Sequence, residues 1–140
     1  RHSAAELSVE AWRGSLAVNL DAAFVAARTA HPWMVRNGGG AIINLSSINA
    51  LIGASDLVAY VTAKGGVNAL TKALAREWGR DRIRVNAVSP GWVGTERQLA
   101  LWLTREAEAE WMKLVAIPER IAVEDVAAVV LFLASDDARM

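Results

Sequence analysis

Cysteine is absent from all 140 residues, so the chain has no disulfide framework, no thiolate metal site and no cysteine nucleophile. Histidine is nearly absent. His2 and His31 stand far apart, too sparse for a metal centre, and none is expected. His31, directly before Pro32, is expected on or near the surface of a helical region, and His2 in a loose terminus. Neither sign of charge predominates: 15 basic and 15 acidic residues cancel, leaving no electrostatic footprint for nucleic acid or an anionic membrane. The apolar runs are broken by charge or proline before the roughly 18–20 residues a membrane span needs, and the first residues lack the apolar core of a signal peptide. The expected setting is reducing and cytoplasmic.

What is present is apolar. A chain that is 54% hydrophobic and 21% charged has the composition of a folded domain, and its length allows one domain with a modest core. Ser8 and Glu10 start a helix, and Leu16, Leu20, Phe24 and Ala27 continue it at helical spacing to about Arg36, where Asn37-Gly-Gly-Gly40 ends it. Short apolar segments at 41–45 and 83–88 read as buried parallel strands. Between them a helix spans about 58–78, with Gly79 expected as its left-handed terminator. Gly65 and Gly66 each cost that helix about 1 kcal/mol relative to alanine, which suggests close approach by the sheet or another helix. Arg80, Arg82 and Arg84 read as a solvated strand entrance. Residues 96–117 form a short helical insertion behind a capping-box pattern, Thr95-Glu-Arg-Gln98. A last helix with Glu124 and Asp125 in its first turn runs to about Ala134.

Tyr60 and Lys64 stand one helical turn apart on that middle helix, and Ser47 ends the strand before it. A phenol normally titrates near pH 10, too high for a base at neutrality, and a neighbouring ammonium favours the phenolate. Spacing i, i+4 puts both groups on one face. Strand, helix and strand form a βαβ unit, whose crossover places reactive groups at the carboxyl ends of the strands.

Together with Val18-Asn-Leu20, Asn44-Leu-Ser-Ser47, Asn86-Ala-Val-Ser-Pro-Gly91 and Val126-Ala-Ala-Val-Val-Leu-Phe-Leu-Ala-Ser135, in that order and spacing, the chain resembles the short-chain dehydrogenase/reductase family. The resemblance implies an α/β fold, the C-terminal portion of a Rossmann-like doubly wound parallel sheet with flanking helices, as a single unit over residues 1–140. Neither the family's glycine fingerprint, Thr-Gly-x-x-x-Gly-x-Gly, nor its Asn-Asn-Ala-Gly segment occurs here. The chain is therefore expected to be the catalytic segment without the dinucleotide-binding part.

The resemblance implies hydride transfer between a nicotinamide, NAD or NADP, and a small carbonyl or alcohol substrate. Ser47 would hydrogen-bond the substrate oxygen and Tyr60 would move the proton. Lys64 would tune the tyrosine and hold the nicotinamide ribose, and Asn19 would hold a relay water. Tyr60 and Lys64, with Pro90, Gly91, the backbone at Val93 and the Thr95 hydroxyl, would contact the cofactor. From the residues alone, the competing reading of Asn19 is a buried amide bonded to neighbouring backbone, and Ser46 is a structural hydroxyl. Trp92, Leu99, Trp102, Leu103, Trp111 and Met112 are either a substrate lid or plain packing. The family also implies a homo-oligomer, dimer or tetramer, through helices 8–36 and 58–78. The alternative to an enzyme is a non-catalytic α/β module that self-associates or docks to a partner supplying the missing half.

Overall fold

The computed structural model describes residues 2–139. The first helical rod begins where Ser8 Oγ accepts the Ala11 N–H, and comprises α1 (Val9–Leu16), a π-helical segment (Ala17–Asp21) and α2 (Ala22–Arg36). The sequence pattern predicts one unbroken α-helix over 8–36; the π turn inside it is a difference. There the Ala22 N–H reaches the Ala17 carbonyl, five residues back rather than four. Helical periodicity continues across the widened turn, which is why the apolar spacing does not reveal it.

The rod ends in a glycine turn. Gly39 has φ +141°, and a Cβ there would lie 2.7 Å from the Arg82 carbonyl oxygen, so the chain needs glycine to enter β1 (Gly40–Leu45). After the short α3 (Asn49–Ile52), α4 (Val58–Trp78) crosses over to β2 (Ile83–Val88). The two strands pair in parallel from Gly40↔Ile83 to Leu45↔Val88. Helices α5 (Glu96–Leu101), α6 (Arg105–Met112) and α7 (Val123–Ala134) follow.

Alternation along the strands sorts the layers. Ile83 and Val85 turn to one face, where Ala27 of α2 and Leu74 and Trp78 of α4 complete the buried core with Ile42 against it. Asn44, on the same face of β1, donates to Thr71 Oγ1 at 2.9 Å, and Thr71 donates to the Val67 carbonyl. This buried polar pair is satisfied and locks strand to helix.

Arg84 turns to the other face and corrects the reading of a solvated strand entrance. Its guanidinium donates to the carbonyls of Leu133, Ala134 and Ser135, closing the C-terminus of α7 against the sheet. A cation is favoured there by both the unpaired carbonyls and the helix dipole. Arg84→Met keeps the aliphatic stem and removes these bonds, so we expect it to lower the unfolding free energy by about 2 kcal/mol, read by urea denaturation. A loss below about 0.5 kcal/mol would contradict the cap.

Two further differences concern ends. Gly79 has φ −59° and starts a 3₁₀ turn, Gly79–Asp81; the left-handed residue is Arg82, with φ 57°. The extra turn brings Asp81 Oδ2 to 3.3 Å from His31 Nε2, whose ring lies against Trp78. His2, expected to be loose, donates its backbone N–H to the Asp56 carbonyl.

Candidate active site

The carboxyl ends of β1 and β2 open onto a cavity of about 520 Å³. Ser47, Tyr60 and Gly91 line it, with the indoles of Trp92, Trp102 and Trp111. Three elements converge here because the parallel crossover carries α4 back over the ends of both strands.

Ser47 follows β1 and is buried. Its Oγ accepts the Asn49 backbone N–H at 3.2 Å. With one lone pair so used, the hydroxyl proton remains to be donated toward the cavity. Ser46, its neighbour, instead donates to the Lys64 carbonyl at 3.0 Å, which is the structural part expected of it. The two adjacent serines thus separate, one serving the fold and the other facing the cavity.

Tyr60 lies in the first turn of α4, half-buried. Lys64 Nζ donates to the carbonyl of Leu45, the last residue of β1, at 2.7 Å, and stands 5.7 Å from the centroid of the Tyr60 ring. That bond anchors the ammonium between strand and helix. Burial holds its pKa below the usual lysine value. The unfolded chain keeps this proton to higher pH, so stability should climb as pH rises from the folded value to the unfolded one. Lys64→Met should flatten that alkaline rise in urea midpoint. Equal slopes in the two proteins would contradict it.

Asn19 lies in the π segment, and its Nδ2 donates to the Ser15 carbonyl at 3.0 Å. A π turn shifts backbone bonds off the i−4 carbonyl, and the side chain takes that acceptor. The segment packs on α4, where Leu20 covers Gly66: a Cβ on Gly66 would meet Leu20 Cδ2 at 2.7 Å. One of the two helix glycines therefore reflects close approach by another helix. Gly65 meets nothing within 4 Å.

Beyond β2, the Pro90 carbonyl accepts the Ile48 N–H, tying this loop to the end of β1. Thr95 N-caps α5, its Oγ1 accepting the Gln98 N–H at 3.2 Å. The reciprocal half of the expected capping box is not made, because Gln98 Oε1 accepts the Trp92 indole N–H at 2.8 Å. Val93 bridges to Ile121, and Arg120 forms a two-pronged pair with Glu108, both bonds 2.7 Å. That pair holds the Glu108 carboxyl below the usual carboxylate range. The insertion is thus pinned across its base.

Of the expected residues, the cavity wall gathers Ser47, Tyr60 and Gly91, with Lys64 anchored behind. Asn19, Pro90, Val93 and Thr95 are not on that wall. Three of the six apolar lid candidates, Trp92, Trp102 and Trp111, do line it, whereas Leu103 is buried, Leu99 is exposed and Met112 is not on the wall. Asn49, Ser55 and Gln98 also line the cavity. Sequence reasoning missed them as site residues; only their polarity beside Ser47 and the tryptophans signals them. Among the described residues, no group of three or more metal-ligating side chains occurs, and no helix is long and apolar enough to cross a membrane.

The family model described as enoyl-(acyl carrier protein) reductase matches residues 1–140. D-xylose 1-dehydrogenase of Caulobacter vibrioides is 46% identical over 140 residues, which is 100% of this chain and 56% of that protein. A short-chain type dehydrogenase/reductase from Mycobacterium ulcerans superposes with a TM-score of 0.94 at 31% identity, over 99% of this chain and 50% of that one. A 4-hydroxyisoleucine dehydrogenase complexed with NADH superposes with a TM-score of 0.93 at 27% identity, over 99% and 57%. The chain spans about half the length of these relatives. Matching through every residue, with the βαβ unit and the Ser47, Tyr60 and Lys64 arrangement in place, the chain belongs to the short-chain dehydrogenase/reductase family.

Proposed function

We propose that this chain is the catalytic segment of an NAD(P)-dependent oxidoreductase acting on a carbonyl or alcohol. The observation that carries the reading is the cavity at the strand ends, lined by both Ser47 and Tyr60 with the Lys64 ammonium fixed to Leu45 behind them. The bound nicotinamide, of NAD or NADP, supplies hydride acceptor or donor chemistry. Its fit rests on the donors at the carboxyl ends of β1 and β2: the Lys64 ammonium, and the Thr95 hydroxyl, whose oxygen accepts the Gln98 N–H and whose proton is left to donate.

Within the substrate's reach, Ser47 donates to the reacting oxygen and steadies the charge that develops there. Tyr60 delivers a proton to that oxygen in reduction and removes it in oxidation. Lys64 places a positive charge beside the phenol. Asn19, held by the π segment against α4, orients a water on the path to Lys64. The chain works as one unit, with residues 96–117 covering the substrate. A cytoplasmic setting, where nicotinamide coenzymes are abundant, accords with this chemistry.

Monitoring NADH and NADPH absorbance with a panel of alcohols and carbonyls tests the reading in the protein made from the complete coding sequence. Turnover with at least one nicotinamide is expected. Its absence across the panel would contradict the reading.

The first rod and α4 also carry the proposed subunit interface. Val18 and Val25 are 75% and 57% exposed, Phe24 is exposed too, and Gly65 leaves an open notch on α4. Such a run of apolar surface suits a second copy of the chain. Sedimentation should show a dimer or tetramer, and Phe24→Arg should shift it toward monomer. A compact, cooperatively folded monomer at micromolar concentration would refute the interface.

A further inference from the structure

The cavity wall has a composition that the chemistry of hydride transfer alone does not require. Three indoles line it, and two of them brace each other: Trp92 and Trp111 meet edge to face with centroids 6.1 Å apart, and the Trp92 N–H is held by Gln98. The uncharged polar residues Asn49, Ser55 and Gln98 line it with them. No Asp, Glu, Lys, Arg or His is among the described residues lining the cavity.

Each part selects a feature of the ligand. An indole face is electron-rich and attracts the partly positive C–H bonds of a saturated ring. Because Gln98 Oε1 accepts from Trp92, its amide N–H groups are the part left to bond a ligand. The nearest cations, Lys64 bonded to the Leu45 carbonyl and Arg97 over the Trp102 ring, are not among the lining residues, so a carboxylate or phosphate taken out of water has no contacting countercharge on the wall. An apolar alcohol, conversely, would leave the amides and hydroxyl of the wall without partners.

We propose, building on the oxidoreductase reading above, that the cavity selects neutral polyhydroxylated substrates, free sugars or polyols, packed by their C–H faces on the indoles and bonded through hydroxyls to Gln98, Asn49 and Ser55. Gln98 is the specificity-determining residue, because it both fixes Trp92 and presents donors to the ligand. The cavity, about 520 Å³, falls in the usual range for small-molecule sites.

The test uses the protein from the complete coding sequence with three substrate sets of similar size: neutral pentoses, hexoses and polyols; the corresponding sugar acids; and unsubstituted cyclic alcohols. At least tenfold higher kcat/KM is expected for the neutral polyhydroxylated set than for either other set. Gln98→Leu should raise KM for a neutral sugar by about tenfold, and by clearly more than it raises KM for a cyclic alcohol, which loses only the placement of Trp92 and no hydrogen bond. Preference for an acid or an apolar alcohol, or an equal effect of Gln98→Leu on all three sets, would overturn the inference while leaving the oxidoreductase reading standing. Should no set be turned over, indole fluorescence decides separately. A saturable response to neutral sugars that Trp102→Ala removes would uphold the site, and no response would overturn it.

Discussion

Tyr60→Phe is expected to lower kcat/KM by about 10²–10⁴-fold while leaving nicotinamide affinity nearly intact. Phenylalanine preserves the ring that packs at the start of α4 and removes only the group that gives or takes a proton. No described protein group is hydrogen-bonded to the Tyr60 hydroxyl, so its loss leaves no protein partner stranded and the fold should be unaffected. Steady-state kinetics together with cofactor titration check this. Retention of more than a tenth of the wild-type value, a barrier change of roughly 1.4 kcal/mol or less, would remove Tyr60 from the proposed role. A parallel loss of cofactor binding would mean that the substitution acts on the site's shape.

Ser47→Ala carries the second large effect. Removing one donor to a developing oxyanion costs about 10²–10³-fold in kcat. The Ser47 oxygen is held by the Asn49 N–H, and its proton can rotate onto the substrate oxygen. Alanine forfeits both the donor and that small turn, and Ser47→Thr, which keeps the hydroxyl, should recover part of the rate. A Ser47→Ala enzyme within threefold of wild-type kcat would show that the oxygen is stabilised elsewhere. If threonine were as poor as alanine, the hydroxyl would not be what the rate depends on at this position, and the proposed role of Ser47 would fall.

These effects depend on parts of the fold that differ in how plainly the residues announce them. The strands at 40–45 and 83–88 stand out because each is a short apolar run bounded by turn residues, and α4 and α7 because their apolar positions recur over several turns. The π segment does not stand out. It changes the hydrogen-bond register by one residue without disturbing which face is apolar, and Asn19 at its centre is only an odd polar residue until that turn is seen. The end of α4 misleads for a related reason. Glycine at 79 suits a left-handed terminator, but the contact of Asp81 with His31 lies 50 residues away in sequence and favours one more turn.

The site divides in the same way. Tyr60 and Lys64 are local, one turn apart, and need no tertiary knowledge to be paired. Ser47 needs only the βαβ geometry. Arg84 and Gln98 are long-range or cross-loop partners: one reaches the end of a helix about fifty residues on, and the other holds an indole through a side-chain bond that competes with its capping pattern. A sequence pattern ranks Gln98 as a cap residue, whereas the folded chain assigns its side chain to the cavity wall.

Deuterium transfer tests the central claim most directly. The protein from the complete coding sequence is supplied with nicotinamide cofactor stereospecifically labelled at C4, each diastereomer in turn, and a carbonyl substrate it turns over. The account predicts that the alcohol carbon acquires the label from one diastereomer, at a rate that Tyr60→Phe abolishes. Product formed without label from either diastereomer, or labelled at an undiminished rate by the Tyr60→Phe protein, would contradict it.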